Sequence, residues 1–324
     1  MDIKEIIQAP VKTELAAFKN YYSGVLSSDI PILNEALVYV GDTVGKMMRP
    51  ILVLLAAKSC GNVCDATFSA AAALELLHTA SLLHDDVIDE SDMRRGQPSL
   101  NAVYSNRVAI LTGDYLFSSS LNCIAKTKNI EIIETLSDVG RALSSGEMMQ
   151  LQFQKSGGFC EENYLEMIRR KTAALFACCG KLGALSAGVD SAVAAGYERF
   201  GELLGICFQI RDDIFDYFDS NIGKPTGSDM REGKITLPAL YVLRTLQEPA
   251  VARLNTKLQG GDTLHEEEIS ELIEFSKNFG GIDYALERID TFRSEALSAL
   301  PPGITDDCRV ALESYLDYSI NRKK

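Results

Sequence analysis

Two short acidic segments are the part of this sequence best suited to chemistry. The first, DDVID, covers residues 85–89, and the second, DDIFD, covers residues 212–216. In a helix, the first and last aspartates of each segment are one turn apart, so their carboxylates project from the same face. Oxygen atoms are the ligands that Mg²⁺ prefers. Two such segments facing one another would form a carboxylate cage for divalent cations.

An acidic helix end in contact with water is the plain alternative for either segment. Against it, the aspartates at 85–89 are flanked by the apolar pairs Leu82–Leu83 and Val87–Ile88. The same helix places His78 and Ser81 at three- and four-residue steps before the first aspartate, which gives one continuous stripe. We therefore predict that the acids line a cleft.

Cations suited to binding phosphate accompany both acidic segments. Arg94 and Arg95 follow the first on a loop that Gly96 and Pro98 mark, and a guanidinium offers a planar fork to phosphate oxygens. The other candidates are Lys46 and Arg49, Lys171 with Thr172, and Lys224 and Lys234 around a glycine-rich loop. Each alone would be an ordinary surface charge. Together, in a chain of net negative charge, they indicate a diphosphate site.

The elements that must position these residues are predicted to be helices throughout. Apolar residues recur at three- and four-residue spacing along nearly the whole chain, which indicates an all-α fold. The predicted helices cover residues 3–22, 30–40, 44–58, 66–90, 100–126, 129–154, 161–187, 190–219, 234–247, 266–278, 280–299 and 304–321. No break is long enough for an interdomain linker, so we predict one domain, residues 1–324. Small-residue runs at 69–73 and 180–184 predict close helix packing.

Composition excludes several classes of function. A net charge of -13 argues against sequence-independent nucleic-acid binding, which needs a basic surface. No window reaches the ~18 uninterrupted apolar residues of a membrane span, and the N-terminus lacks the pattern of a signal peptide. Four of the eight cysteines, at positions 60, 123, 207 and 308, sit singly in apolar helical pattern, as buried thiols do in a reducing compartment. We expect a cytoplasmic protein without a membrane span.

In combination, the motifs resemble those of trans-type polyprenyl diphosphate synthases of the isoprenoid synthase superfamily, octaprenyl-type long-chain synthases among them. The matching segments, within residues 45–239, are GKMMRP, ELLHTASLLHDDVIDESDMRRG, RRKTAALF, FQIRDDIFD and GKPTGSDMREGKITLP. The resemblance implies a helical bundle around a deep central cavity. Aspartate motifs on facing helices would bind two or three Mg²⁺ ions that bridge an allylic diphosphate. Two departures are Met47, where a second basic residue is common, and Val44, where glycine is usual.

The resemblance also implies a role for each matching residue. The metal ligands would be Asp85, Asp89, Asp212 and Asp216, with Asp86 and Asp213 beside them. Isopentenyl diphosphate would be held by Lys46, Arg49, His78 and Arg95. The allylic diphosphate would be held by Arg94, Lys171, Thr172, Gln209, Lys224 and Lys234. The six aspartates, Arg94 and Lys171 are the predicted catalytic residues, whereas His84 is interpreted as a structural neighbour rather than a base.

The implied reaction joins isopentenyl diphosphate to an allylic diphosphate such as farnesyl diphosphate. Positive charge stabilises the departing diphosphate, the double bond attacks the allylic cation, and loss of a proton restores an alkene. Ala80 and Ser81 are small where short-chain relatives commonly carry an aromatic residue. We therefore predict a long-chain product for quinone side chains or related isoprenoids. The resemblance also implies a homodimer, with residues 107–120 as a candidate contact surface.

Other functions stay open on these residues alone. A shorter product, farnesyl or geranylgeranyl diphosphate, would need only a different cavity floor. A terpene cyclase is disfavoured by the complete second acidic segment and by Lys46, Arg49 and His78, for which a cyclase has no use. A non-catalytic partner subunit would be expected to lose acids from one segment, and both segments are intact.

Overall fold

The computed structural model describes residues 2–42, 45, 47–218 and 226–322, and it confirms the all-α prediction. Helices α1–α7 are Ile3–Gln8, Lys12–Val25, Pro31–Asp42, Met48–Ser59, Asp65–Ile88, Leu100–Val103 and Asn106–Ala125. Helices α8–α12 are Ile130–Ser156, Glu161–Ile168, Ala174–Ser186, Ser191–Phe215 and Ser228–Arg231. Helices α13–α17 are Leu237–Thr245, Pro249–Gln259, Glu266–Asn278, Gly281–Ala299 and Asp306–Asn321.

Three predicted helices are interrupted in the structure. A 3₁₀ turn, Ala9–Val11, separates α1 from α2 at Pro10, since proline lacks the backbone donor that a continuous helix needs. The predicted helix 100–126 is divided into α6 and α7 at residues 104–105. The predicted helix 161–187 contains a π-helical turn, Arg169–Ala173, between α9 and α10.

Other elements were not predicted at all. Helices α12 and α14 lie where the sequence had been interpreted as loop. Two-residue strands, β1 (Met93–Arg94) and β2 (Gln97–Pro98), pair antiparallel directly after α5. This hairpin carries Arg94 and Arg95, so an element that was not predicted positions two of the candidate site residues.

The Cα positions form two compact units. The first unit comprises Met1–Gly140, Cys178–Glu198 and Pro301–Ser314, and the second comprises Arg141–Ala177, Arg199–Leu300 and Tyr315–Lys324. In the first unit, α5 packs against α4 and α7. In the second, α13 packs against α14, α15 and α16. The first acidic segment belongs to the first unit and the second segment to the second.

Helix α5, which carries the first acidic segment, is positioned by a core of small and aliphatic side chains. Ala70–Ala73 of α5 and Ile51–Ala57 of α4 are fully buried. In the same unit, a Cβ on Gly180 would lie 2.2 Å from the carbonyl oxygen of Tyr197, and one on Gly183 would lie 2.3 Å from that of Val53. Backbones approach this closely only where no side chain intervenes. The small-residue runs therefore serve close packing, as predicted.

Two helices are long and apolar enough to cross a membrane by length and composition alone. They are α5, whose most apolar 18-residue window is 67% buried inside the protein, and α7, for which that share is 39%. A buried core helix of a soluble protein passes the same test, so this observation is weak evidence for a membrane span. All eight cysteines have free thiols, and Cys60, which we had predicted to be buried, is half-buried.

Candidate active site

The first acidic segment occupies the last turn of α5. Asp85 is half-buried, Asp86 is 1% exposed, and Asp89 is exposed at the C-cap of the helix. The negative end of the helix dipole repels carboxylates at this position. Acids held there gain from a cation nearby, which is the electrostatic setting of a metal or ligand site.

The middle acid of the segment binds an arginine within the same unit. Nε of Arg94 donates to both carboxylate oxygens of Asp86, at 2.7 and 2.8 Å, and Nη2 lies 2.6 Å from Oδ1. A bidentate, charge-assisted contact of this kind fixes both groups. Asp86 therefore positions Arg94.

Arg94 and Arg95 are presented by the β1–β2 hairpin. Its two-residue loop, Arg95–Gly96, has φ of 53° and 78°, the positive values at both central residues that a type I′ turn requires. Arginine rarely adopts this conformation, so Arg95 is held under backbone strain. A Cβ on Gly45 would lie 2.4 Å from Nη1 of Arg95. The glycine of the GKMMRP motif thus leaves room for this guanidinium.

Both arginines line a cavity of about 590 Å³ in the first unit, together with Glu75 and His78. Burial lowers the pKa of His78 well below its usual value, and the charges of Arg49 and Arg95 lower it further. Burial raises the pKa of Glu75, and the same two arginines oppose that rise. His78 is therefore neutral at physiological pH and can donate one hydrogen bond. Arg95 and His78, two of the four residues expected to hold isopentenyl diphosphate, line this cavity, and Arg49 is near enough for its charge to act on both.

The side chain of His84 contacts α7. Its Nε2 lies 3.3 Å from the carbonyl oxygen of Ile110 and 3.5 Å from Oδ1 of Asp114. A Cβ on Gly113 would lie 2.3 Å from the same nitrogen. The imidazole packs between two helices, which supports the interpretation of His84 as a structural residue.

The second acidic segment ends α11 in the second unit, and each of its acids has protein partners. Asp212 is exposed and pairs with Arg322 near the C-terminus at 2.8 Å. Asp216 accepts hydrogen bonds from the backbone N–H groups of Ser228 and Asp229, both at 3.0 Å, and from the Ser228 hydroxyl at 2.7 Å. Asp216 thus caps the start of α12. Three of its roughly four acceptor sites are occupied.

The middle acid of this segment, Asp213, lies at the centre of a buried hydrogen-bond chain. It accepts from the Tyr164 hydroxyl at 2.6 Å and from Nε2 of Gln209 at 2.7 Å. Oε1 of Gln209 in turn accepts from the Thr172 hydroxyl at 2.7 Å. Burial raises the pKa of Asp213, and the nearby Asp229 raises it further. The chain joins the second acidic segment to the π-helical turn.

A second cavity, of about 710 Å³, is lined by residues of the second unit. Four of the six residues expected to hold an allylic diphosphate line it: Lys171, Thr172, Gln209 and Lys234. Nζ of Lys171 lies 2.7 Å from Oε1 of Glu147, and Lys234 pairs with Glu232. Arg94, which we had grouped with this set, lines the cavity of the first unit instead. Arg94, Lys171 and Lys234 are thus each paired with an acid.

The two candidate chain-length residues lie on α5 below the acids. Ala80 is 2% exposed and Ser81 is half-buried, with its hydroxyl donating to the carbonyl oxygen of His78 at 2.8 Å. The Tyr115 hydroxyl donates to the carbonyl oxygen of Ser27 at 3.1 Å. Ala80 and Ser81 are both small. The opening toward a long product that they predict stays a prediction. Lys46, Lys224 and Val44 lie outside the described residues.

The donor set fits a magnesium ion that is shared with a substrate. Within the described ranges, no three carboxylate, imidazole or thiol groups converge as an all-protein metal cage would require. Mg²⁺ usually keeps several waters and is bound through one or two carboxylates plus substrate phosphates. Asp85 and Asp89, one turn apart at a negative helix end, offer such a pair. The residues are therefore compatible with a metal that binds together with a diphosphate.

Several residues of this region were missed from the sequence. Tyr164 and Glu147 lie outside the quoted motifs, and Glu75, although it begins one of them, was given no role. Glu75 could have been noticed, since it lies three residues before His78 in a helix and so shares its face. The partners of Asp213 and Lys171 could not, because those contacts join segments 49 and 24 residues apart.

Comparisons with known proteins agree with this geometry. Residues 30–275 match the family model described as polyprenyl synthetase. The octaprenyl diphosphate synthase of Haemophilus influenzae is 33% identical over 299 residues, which cover 92% of this chain and 90% of that one.

Two solved structures extend the comparison. A geranylgeranyl pyrophosphate synthase from Bacteroides thetaiotaomicron is 43% identical, with a TM-score of 0.84 over 99% of this chain and 100% of that one. A polyprenyl synthase from Caulobacter crescentus, complexed with calcium and isoprenyl diphosphate, is 31% identical, with a TM-score of 0.88 over 99% and 98% of the two chains.

Proposed function

Because the chain belongs to the polyprenyl synthetase family and is a prenyltransferase, we propose that it condenses isopentenyl diphosphate with an allylic diphosphate in the presence of Mg²⁺. The family uses a divalent metal and isoprenoid diphosphate substrates. The product would be an all-trans polyprenyl diphosphate. The observation that carries the proposal is the cavity of the first unit, where Arg94, Arg95 and His78 line a space beside the helix that ends in Asp85 and Asp89.

The proposed metal ligands are Asp85, Asp89, Asp212 and Asp216. When bound, Mg²⁺ supplies positive charge to the departing diphosphate. Asp216 has few acceptor sites left, because it also caps α12. Its contribution would therefore be small.

The cations of the two cavities bind the substrates in this proposal. Arg49, Arg95 and neutral His78 hold isopentenyl diphosphate, and Arg94, oriented by Asp86, adds a further donor. Arg94 would face this substrate rather than the allylic one, because it lines the same cavity as Arg95. Fixed donors around the diphosphate oxygens keep the double bond in position for attack.

Residues of the second cavity act on the allylic substrate in the same proposal. Lys171 and Lys234 would exchange their carboxylate partners for diphosphate oxygens, with Lys224 as a third cation. Attack by the isopentenyl double bond forms the new carbon–carbon bond while the allylic carbon–oxygen bond breaks. The proton then lost leaves with the released diphosphate, so no protein nucleophile is needed.

For chain length, we retain a long product of the octaprenyl type as the first expectation. It is supported by the small side chains Ala80 and Ser81 and by the likeness to an octaprenyl diphosphate synthase. A geranylgeranyl product is the second candidate, favoured by 43% identity to a geranylgeranyl pyrophosphate synthase. Its shorter chain would require a cavity floor formed by side chains other than these two.

The protein is further proposed to act in the cytoplasm as a homodimer. Along α7, Leu111, Phe117 and Leu121 are 57%, 43% and 48% exposed, and such an apolar helix face is typical of a surface that a partner covers. Replacing Leu111 with Glu should shift the mass measured by light scattering toward the monomer. An unchanged mass, or a monomeric parent protein, would contradict this part of the proposal.

The activity is tested with labelled isopentenyl diphosphate, Mg²⁺ and geranyl, farnesyl or geranylgeranyl diphosphate as primer. We expect elongation that stops when EDTA is added, and chromatography of the dephosphorylated products gives the chain length. Absence of any elongation with all three primers would remove the proposal. Ser81→Phe should shorten a long product, whereas an unchanged length would show that the chain extends elsewhere.

A further inference from the structure

Tyr164 of α9 is a buried aromatic residue whose hydroxyl binds an acidic side chain. It is 3% exposed, and it donates at 2.6 Å to Oδ2 of Asp213, itself 5% exposed. A hydrogen bond between two buried groups is stronger where water is excluded. Tyr164 matches none of the motif residues, yet it fixes the middle acid of the second acidic segment.

The hydrogen bonds beyond Asp213 have a defined direction. Nε2 of Gln209 donates to Oδ1 of Asp213. The Gln209 carbonyl oxygen, which can only accept, therefore faces Thr172, whose hydroxyl must donate. The only proton of that hydroxyl is thereby used, and the Thr172 oxygen keeps only its lone pairs for the cavity it lines.

We propose that Tyr164 is a positioning residue for the allylic half of the reaction. Its hydroxyl holds Asp213 as an acceptor toward Gln209 and so keeps the Thr172 oxygen in an acceptor-only state. An oxygen with free lone pairs stabilises positive charge that develops on an allylic fragment. This role rests on the proposed function. Tyr164 itself lines the second cavity, and the effect assigned to it is exerted through Thr172.

The backbone around Thr172 is built for the same purpose. Thr172 belongs to the π-helical turn Arg169–Ala173, and such turns are frequent at functional sites. A Cβ on Gly146 would lie 2.8 Å from the backbone nitrogen of Lys171, and one on Gly205 would lie 2.6 Å from Cα of Ala173. These two close backbone contacts restrict the turn. The hydrogen bonds from Tyr164 through Asp213 and Gln209 restrict the Thr172 hydroxyl.

The first test compares Tyr164→Phe with Tyr197→Phe. Tyr197 is similarly buried, at 1% exposed, and its hydroxyl lies 2.7 Å from that of Ser59 in the first unit. Both variants lose the hydroxyl of a buried tyrosine, so both should lower Tm by a similar amount. Only Tyr164→Phe should lower kcat, by about tenfold, with the KM for isopentenyl diphosphate within about twofold of the parent.

A double-mutant cycle separates positioning from general disturbance. If Tyr164 acts through Thr172, the hydroxyl of Tyr164 has no further effect on kcat once Thr172→Val is present. The double variant should then be about as slow as Thr172→Val alone, whereas independent effects would multiply. The inference would be overturned if the effects of the two substitutions on kcat multiplied. It would also be overturned if Tyr164→Phe folded and kept the kcat of the parent.

A second variant covers the case in which Tyr164→Phe does not fold. Asp213→Asn keeps the size of the side chain but cannot accept from Tyr164 and Gln209 with separate oxygens. It should also lower kcat with little change in the KM for isopentenyl diphosphate, and full activity would count against the inference. Elongation by the parent protein is measured first. Its absence would remove the proposed function, whereas a failed cycle with an active parent would remove the role of Tyr164 alone.

Discussion

The two acidic segments occupy the same place on their helices, yet their carboxylates have different partners. In the first segment, Asp86 pairs with Arg94 and Asp89 is exposed. In the second, Asp212 pairs with Arg322, Asp213 binds Tyr164 and Gln209, and the half-buried Asp216 caps α12. The last acid of the pattern is thus embedded to a different depth in each unit. At this acid the first segment is the more open to a ligand, and the second is the more involved in its own fold.

The common feature of the two segments is the burial of the middle acid. Successive helical residues are rotated by about 100°, so the second aspartate cannot share the face of the first and last. Asp86 and Asp213 are therefore buried in their own units, where Asp86 holds Arg94 and Asp213 holds Gln209. The D-D-x-x-D pattern combines proposed metal ligands on one face with a positioning residue on another.

The largest expected effect comes from the first acid of each segment. Asp85→Ala and Asp212→Ala should each lower kcat/KM by about 10³-fold, since a lost ligand removes charge that stabilises the leaving group. Tm should change little, because neither side chain is part of the apolar core. Asp262→Ala, in an exposed loop, is the control and should elongate like the parent. Normal elongation by either site variant would show that the ligands are wrongly assigned.

The middle acids should separate the two substrates. Asp86→Asn weakens the bidentate hold on Arg94 and should raise the KM for isopentenyl diphosphate by about tenfold, because a misplaced donor binds poorly. Asp213→Asn should instead lower kcat. Steady-state kinetics with each substrate varied in turn measure both values. If both variants changed the same kinetic constant, the predicted difference between the two middle acids would be wrong.

Buried titratable groups in the two units should give opposite pH dependences of stability. The pKa of His78 is lowered in the folded state, so below about pH 6.5 the unfolded chain binds a proton that the folded one does not, and stability falls as pH falls. The pKa of Asp213 is raised, so the folded state binds the extra proton above about pH 4, and stability falls as pH rises.

Two variants test these opposite signs in the presence of EDTA. His78→Gln should gain stability relative to the parent as pH is lowered from 7 to 5, by at most about 1.4 kcal/mol per pH unit. Asp213→Asn should gain relative to the parent as pH is raised from 5 to 8. Urea unfolding at each pH measures both differences, and His265→Gln, in an exposed position, is the control. Parallel curves for parent and variant would contradict the assigned shifts.

The smallest expected effect concerns the last acids. Asp216→Ala removes the cap of α12 and should cost about 1 kcal/mol of unfolding free energy. Asp89→Ala should cost nothing or stabilise slightly, since Asp89 lies at the negative end of α5. The free energy of urea unfolding of the metal-free protein distinguishes the two. Equal losses of unfolding free energy would show that Asp89 and Asp216 are equally involved in the fold.

The sequence was sufficient for the helical fold and for the acidic segments, because both follow from short-range spacing. Helix α14 was not predicted, although Val251, Leu254 and Leu258 repeat at helical spacing after Pro249. Proline is tolerated at the first position of a helix, where it stands here. The strands of the hairpin are too short to show alternation, and a π-helical turn leaves no period of its own. These parts depend on tertiary contacts.

The left-handed conformation of Arg95 sets stability against catalysis at one position. Glycine or asparagine would relieve the strain of the type I′ turn, and such replacements commonly stabilise proteins. Either would also remove a guanidinium from the cavity beside His78 and Glu75. Selection of this protein for thermal resistance alone should therefore favour loss of Arg95, and the resulting enzyme would be more stable and less active. Directed evolution toward heat tolerance needs a parallel screen for turnover at this residue.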